Sequence, residues 1–319
     1  MRDIQRIGFL RRGFLQGTAI TGLAALTSAQ TLAAAPSETD EAIAAQPAPA
    51  PSNELNTSDI LIETLIDWGA THVFGIVGDG INSIIEALQD RIQYVGVRHE
   101  EAAAFMAAGF AKHTGRLGVC VGTTGPGAIH LMNGLYEAAL DGAPVVALTG
   151  LTFHDLRGVR FQQGVDTVKL MQSVALYNEE VTGPEHAIII GNRACRVALA
   201  DRGVAHLTIS KDVQMMKLAA DKRSTRNPGV RTSSSWSPPL PTPPKDQLRG
   251  AAAILNSGNR VAVLVGQGAL SARDEVGALA DRLGAPVAKA LLGKAVLPMT
   301  APTRRAALAT SAPRHQPGS

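Results

Sequence analysis

The sequence predicts an α/β protein: a three-layer, doubly wound, mostly parallel sheet, followed by a truncated second α/β domain. Three observations carry the prediction. Short, nearly all-apolar runs alternate with longer segments of helical period, the pattern of strands buried on both faces. Glycine-rich turns close several of those runs where a helix follows. A stretch rich in Pro and Ser then interrupts the alternation, and a shorter strand and helix series starts after it.

The folded region begins at Thr57. Ile60, Leu61, Thr64, Leu65 and Trp68 recur at helical spacing behind Thr57, Ser58 and Asp59, which can cap a first turn. Residues 73–77 form a short strand ending in Gly78-Asp79-Gly80. Further strands are predicted over 94–97, 117–121, 144–148 and 204–209, and helices over 101–112, 128–140 and 185–200. These make 57–220 one domain. Residues 221–245, with Ser233-Ser234-Ser235 and Pro238, Pro239, Pro241, Pro243 and Pro244, read as an interdomain linker. A helix over 247–255, a strand over 261–265, the turn Gly266-Gln267-Gly268, a helix over 272–283 and a strand over 286–290 then make 246–298 a partial domain.

Ahead of the fold, Arg11-Arg12-Gly13-Phe14-Leu15-Gln16 precedes a mildly apolar run rich in Ala, Thr and Gly, the order of a twin-arginine signal peptide over 1–35. The run is short and diluted by Thr18, Thr21, Thr27, Ser28, Gln30 and Thr31. The expectation is therefore export to the periplasm without a permanent membrane anchor. Residues 36–56, rich in Pro, Ala, Ser and Glu, read as a flexible tether. The formal charge is +3, but setting aside Arg2, Asp3, Arg6, Arg11, Arg12, Arg304, Arg305 and Arg314 leaves a mildly acidic body. Charge thus argues for neither nucleic-acid nor membrane-surface binding. Cys120 in a strand-like run and Cys195 in a helix-like one lack a CxxC spacing or a His partner, so both read as small buried hydrophobes.

The stretch that carries chemistry is Val97-Arg98-His99-Glu100-Glu101-Ala102, a strand running into two carboxylates that open a helix. Ligand crevices form at the carboxyl ends of parallel strands, where a working carboxylate would sit. Complementing the helix dipole is the plainer alternative. Thr124-Gly125-Pro126-Gly127 is either an ordinary strand-to-helix turn or a loop lying against a flat ligand, which glycine lets backbone approach closely. His130 is either a core histidine or a pocket residue.

Several motifs in order then identify a family. Gly75-Ile76-Val77-Gly78-Asp79, Arg98-His99-Glu100-Glu101, Gly118-Val119-Cys120-Val121-Gly122-Thr123-Thr124-Gly125-Pro126-Gly127 and His130-Leu131-Met132-Asn133-Gly134-Leu135-Tyr136 together resemble the first domain of thiamine diphosphate (ThDP) enzymes of the pyruvate oxidase and acetolactate synthase type. The resemblance covers roughly residues 58–298 and is nearest in wording to pyruvate oxidases. It implies that Glu100 is the catalytic cofactor glutamate. Hydrogen-bonded to N1′ of the aminopyrimidine, such a carboxylate shares a proton that favours the imino tautomer, whose nitrogen deprotonates C2 of the thiazolium. Glu101 is then a helix-start or ion-pairing residue, and Arg98 and His99 orient the turn. Cofactor contacts are implied for Gly78, Asp79, Thr124, Gly125, Pro126, Gly127 and His130. They are also implied for Phe161 and Gln162, which sit where the family has a Phe-Gln pair reaching the active site; Gln163 stands where many relatives have Glu.

Gly78-Asp79-Gly80 looks like the family's Mg²⁺-binding triplet, but that triplet lies in a third domain and is followed by Asn, where this chain has Ala104. It is read as pocket wall, and no residue of this chain is assigned to a metal. Val263-Leu264-Val265-Gly266-Gln267-Gly268-Ala269 resembles the central domain, which holds FAD in pyruvate oxidases; Gly266 and Gly268 are the candidate contacts.

The implied function is decarboxylation of a 2-oxo acid such as pyruvate with ThDP, Mg²⁺ and FAD, in a homo-oligomer. Acetolactate synthase-like carboligation and a non-catalytic remnant are the alternatives. The resemblance stops at Pro298. Residues 299–319 have no apolar period, yet codons chosen freely for them and read one base earlier can encode acidic residues, a Pro and a Gly-Gly-x-Gly run, as relatives continue. The expectation is an out-of-frame tail in place of the diphosphate-binding domain, which in the family holds Mg²⁺ and is needed for activity.

Overall fold

The structure is a computed structural model, and it describes residues 55–219 and 242–298 together with 224, 226, 234, 237, 307 and 308. The expected signal peptide, nearly all of the tether, most of the linker, and the tail apart from 307 and 308 lie outside the described residues.

The first helix, α1 (Thr57–Asp67), is capped by Asn56. Its side chain accepts from the Asp59 N–H while the Asp59 carboxylate accepts from the Asn56 N–H, a reciprocal box that settles two otherwise unpaired donors. Thr57 and Ser58 do not cap. Their hydroxyls donate to the carbonyls of Met216 and Gln214. This ties the start of the domain to its end.

The chain continues through β1 (His72–Gly75), a 3-10 turn at Asp79–Ile81, α2 (Asn82–Leu88), β2 (Gln93–Gly96) and α3 (Glu100–Thr114). Next come β3 (Gly118–Gly122), α4 (Pro126–Leu140) and β4 (Val145–Leu151). A 3-10 turn at His154–Leu156 precedes α5 (Thr167–Met171), β5 (Ala175–Val181), α6 (Pro184–Ala200), β6 (Val204–Ser210) and α7 (Lys211–Gln214).

The six strands are all parallel, in the order β2-β1-β3-β4-β6-β5. β3, β4 and β6 are buried at every residue, which is why they read as unbroken apolar runs. From β1 the chain steps to β2 on one side and then crosses to β3 on the other. The crevice outside the carboxyl ends of β1 and β3 is therefore the topological switch point, where doubly wound sheets bind ligands.

Small residues draw α3 onto the sheet. Ala103, Ala104, Ala107, Ala108 and Ala111 form its buried face. A Cβ on Gly118 would lie 2.3 Å from the Ala107 carbonyl oxygen, so helix and strand backbones touch. That contact fixes how far the first residue of α3, Glu100, reaches over the crevice. Cys120 and Cys195 are free and buried, as expected, and burial pushes the Cys120 thiol up to about 12.

A second, three-stranded parallel sheet follows, with α8 (Lys245–Ser257), β7 (Val263–Val265), α9 (Arg273–Leu283), β8 (Val287–Lys289) and β9 (Ala307–Leu308). Its core is small: Val265, Ala280, Val287, Val296 and Leu297. β9, which pairs with β8, falls in the stretch expected to be an out-of-frame tail. Among the described residues no helix is long and apolar enough to cross a membrane.

Candidate active site

The end of β2 delivers the chain to α3 through His99, whose extended backbone makes it the N-cap and whose Nδ1 accepts from the Glu101 N–H at 3.3 Å. The helix therefore opens on Glu100. The two carboxylates part company at once. Glu101 faces outward, where its Oε1 accepts from the Asn133 side-chain amide, while Glu100 turns inward and is only 7% exposed.

His130, one turn into α4, meets Glu100 with Nδ1 2.9 Å from Oε2. With Nδ1 protonated the ring donates to the carboxylate. One face of the His130 ring stacks on His99, with centroids 4.4 Å apart. The core-histidine reading of His130 fails, because its side chain is 41% exposed. Oε1 of Glu100 has no hydrogen-bond partner among the described residues. It lies against Gly127, where an added Cβ would stand 3.1 Å from it. One oxygen is thus held and the other is open.

The wall of the crevice comes from the two strand ends. The Gly80 N–H donates to Thr123 Oγ1 at 3.2 Å, and Gly78 packs on the same Thr123 side chain. Thr124 is buried against Gly80. Gly125, at φ +63°, makes the turn that lets Pro126 start α4. Asp79 behaves differently from its neighbours. Its side chain is 80% exposed and pairs with Lys211 Nζ at 2.6 Å.

Sequence reasoning missed Tyr94, in the strand that leads into Glu100. Its hydroxyl is buried without a partner. Burial first and the Glu100 charge second push it up to about 12, so the phenol stays protonated and free to donate. The only prior signal was a hydroxyl-bearing side chain in a strand of apolar neighbours. The hydroxyl lies 3.5 Å from where a Cβ on Gly75 would stand, at the carboxyl end of β1, and an open carboxylate oxygen beside a glycine-lined turn fits an aminopyrimidine, a flat ring with both donors and acceptors.

Phe161 and Gln162 lie on the loop between β4 and α5, both exposed. That loop is seated on the glycine turn: a Cβ on Gly125 would come 2.5 Å from the Gln163 carbonyl oxygen. Gly266 and Gly268 belong to the second sheet, and nothing lies within 4 Å of a Cβ at either position. No protein contact explains glycine there.

Residues 55–170 match the family described as thiamine pyrophosphate enzyme, N-terminal TPP binding domain. Residues 248–315 match the thiamine pyrophosphate enzyme central domain, a match that runs beyond Pro298. A Bacillus subtilis protein described as thiamine pyrophosphate-containing is 38% identical over 241 residues, covering 75% of this chain and 41% of the relative. Pyruvate oxidase of Lactiplantibacillus plantarum is 34% identical over 240 residues, 74% of this chain and 39% of the enzyme. Chloroplastic acetolactate synthase of Arabidopsis thaliana is 31% identical over 249 residues, 76% of this chain and 36% of the enzyme. The chain thus spans about two fifths of the length of these curated relatives. Two consecutive domain matches, on a parallel sheet whose switch point holds Glu100, show that the chain belongs to the thiamine pyrophosphate enzyme family.

Proposed function

We propose that this chain supplies the pyrimidine-binding half of a ThDP enzyme that decarboxylates a 2-oxo acid such as pyruvate, with Glu100 as its cofactor glutamate. The observation that carries the reading is the state of Glu100: buried, held through Oε2 by His130, and open at Oε1. In this reading Oε1 takes a hydrogen bond from the pyrimidine ring and holds a proton there. His130 fixes the rotamer, and Gly127 keeps side-chain bulk away from the contact. Gly78, Thr124, Gly125 and Pro126 line the ring, while the Tyr94 hydroxyl donates into the same space. When bound, ThDP supplies the nucleophilic carbon and the electron sink for decarboxylation.

The pyruvate oxidase relative and the motif wording favour oxidation through FAD, with the Gly266 to Gly268 turn as the flavin contact. The acetolactate synthase relatives support carboligation as the second reading. Mg²⁺ is expected to enter with the diphosphate, and the enzyme is expected to be a homo-oligomer. Export by the twin-arginine route completes the proposal, resting on Arg11, Arg12 and the run after them.

Thermal unfolding of the 319-residue chain with ThDP and Mg²⁺ tests the site. A ligand at about 100 times its Kd stabilises the fold by roughly 2.7 kcal/mol. Glu100→Ala should abolish that shift. An unshifted wild-type chain, or an equal shift in Glu100→Ala, would overturn the assignment. A 2-oxo-acid decarboxylation assay on the same preparation separates enzyme from remnant.

A further inference from the structure

Gln214, the last residue of α7, is fully buried. Its amide nitrogen donates to two main-chain carbonyls, that of Gly80 at 2.7 Å and that of Ile209 at 3.2 Å. Its Oε1 is buried with no hydrogen-bond partner among the described residues. Turning the amide over would set an oxygen against two carbonyl oxygens, so the orientation is fixed by what the nitrogen holds. A buried acceptor without a partner is costly. Here that cost falls where one side chain ties the end of β6 to the turn at Asp79–Ile81. The Gln214 carbonyl accepts from Ser58 Oγ at 3.2 Å and Ser83 Oγ at 3.4 Å, which fastens the residue to α1 and α2 as well. Lys211 of the same helix also reaches the turn, through Asp79, but Asp79 is 80% exposed there. Exposed ion pairs contribute little, so the buried amide is the firmer tie.

From Gly80 a close-packed path leads to Glu100. The Gly80 residue is held at both ends, its carbonyl by Gln214 and its N–H by Thr123 Oγ1. A Cβ on Gly80 would lie 1.8 Å from Thr124 Oγ1, so the turn is pressed against the end of β3. A Cβ on Gly127 would lie 2.9 Å from Thr123 Cγ2 and 3.1 Å from Glu100 Oε1. Contacts this dense pass a displacement on instead of absorbing it. We propose that Gln214 is a positioning residue for Glu100: by holding the Gly80 carbonyl it sets Thr123 and Gly127, and through them the space in front of the open Oε1. That this space receives an aminopyrimidine rests on the function proposed above; the coupling itself rests on the contacts alone.

NMR spectroscopy of the 319-residue chain without cofactor tests the coupling. Gln214→Met keeps the length of the side chain and removes both donors. The Thr123 and Gly127 amide resonances and the Glu100 carboxyl carbon resonance should move in that variant. Asn192→Ala instead breaks a buried bond between Trp68 at the end of α1 and Asn192 in α6, and should leave those resonances in place. The contrast separates positioning from a general loss of stability. ThDP added to the same proteins should bind about tenfold more weakly to Gln214→Met than to wild type, and as wild type to Asn192→Ala. Circular dichroism checks folding. Gln214→Asn, which keeps the amide but draws it back by one methylene, takes the place of Gln214→Met if that variant is unfolded. The proposal is overturned if the folded Gln214 variant keeps the wild-type resonances, or if Asn192→Ala moves them as far. It is equally overturned if wild type and the Gln214 variant bind ThDP with one affinity, or if neither Gln214 variant folds. Should wild type bind no ThDP, the cofactor reading of Glu100 falls, and the resonances of the cofactor-free chain still decide the coupling.

Discussion

His206 offers the sharpest physical test of the fold that supports this site. It is fully buried in β6, with Nδ1 2.7 Å from Asn178 Oδ1 and Nε2 2.8 Å from Thr149 Oγ1. The Asn178 amide nitrogen donates to the Val168 carbonyl, so Oδ1 is the acceptor; Nδ1 carries the proton and Nε2 accepts from Thr149. The network continues through Thr208 to Thr167, the first residue of α5, and so anchors the far end of the loop between β4 and α5. Burial pushes the imidazole from 6.5 down to about 3. Between those values the unfolded chain binds a proton that the folded chain refuses, so this contribution to stability is complete above the unfolded value and is lost as pH falls. At ~pH 5 the loss is about 2 kcal/mol, from ~1.5 pH units at ~1.36 kcal/mol each. His206→Gln sacrifices packing and hydrogen bonds at every pH but removes the titration. Urea unfolding of both proteins at ~pH 7 and ~pH 5 isolates the effect as a difference of differences, in which wild type should lose about 2 kcal/mol more than the variant. Equal losses, within about 0.5 kcal/mol, would refute a neutral buried His206.

Three further substitutions probe the frame around Glu100. Gly118→Ala drives a Cβ into the Ala107 carbonyl and should cost ~1–3 kcal/mol by urea midpoint, because α3 must lift from β3. Gly125→Ala combines a left-handed backbone with a Cβ 2.5 Å from the Gln163 oxygen. It should cost ~1–3 kcal/mol and shift amide resonances of the β4 to α5 loop in NMR spectra. His130→Ala removes a half-exposed partner of Glu100, so stability should fall by less than ~1 kcal/mol. The ThDP-induced rise in melting temperature should shrink without vanishing, since Oε1 is untouched.

What the sequence made legible tracks where burial is two-sided. β3, β4 and β6 are unbroken apolar runs because both faces of the central sheet are covered, and each was predicted to within three residues at either end. β5 went unread. It is an edge strand, Ala-Leu-Tyr-Asn-Glu-Glu-Val, held in the sheet by its ladder to β6 and presenting polar residues that no apolar template selects. The short helices α2, α5 and α7 escaped for a related reason, since each is shorter than the window over which a helical period can be counted. Glu100 and His130 were legible in two separate motifs of one family, although the bond between them was not. Tyr94 could not be found, because an orphaned hydroxyl is defined by what other segments fail to place beside it.

The glycines of the turn serve the fold before they serve any ligand. Read in the sequence, Gly125 and Gly127 pointed to a ligand because only glycine lets backbone approach a flat ring. In the structure both are already required by protein: Gly125 by its backbone angle and the Gln163 carbonyl, Gly127 by Thr123 and Glu100. A chain with no cofactor would need them equally. What points to a cofactor is therefore the groups that protein contacts leave unsatisfied, the open Oε1 of Glu100 and the buried hydroxyl of Tyr94. Removing a donor from a buried pocket costs little if nothing was receiving it, and costs a ligand if something was. Tyr94→Phe should accordingly leave the fold intact while weakening whatever occupies the crevice, a pattern that packing alone cannot produce.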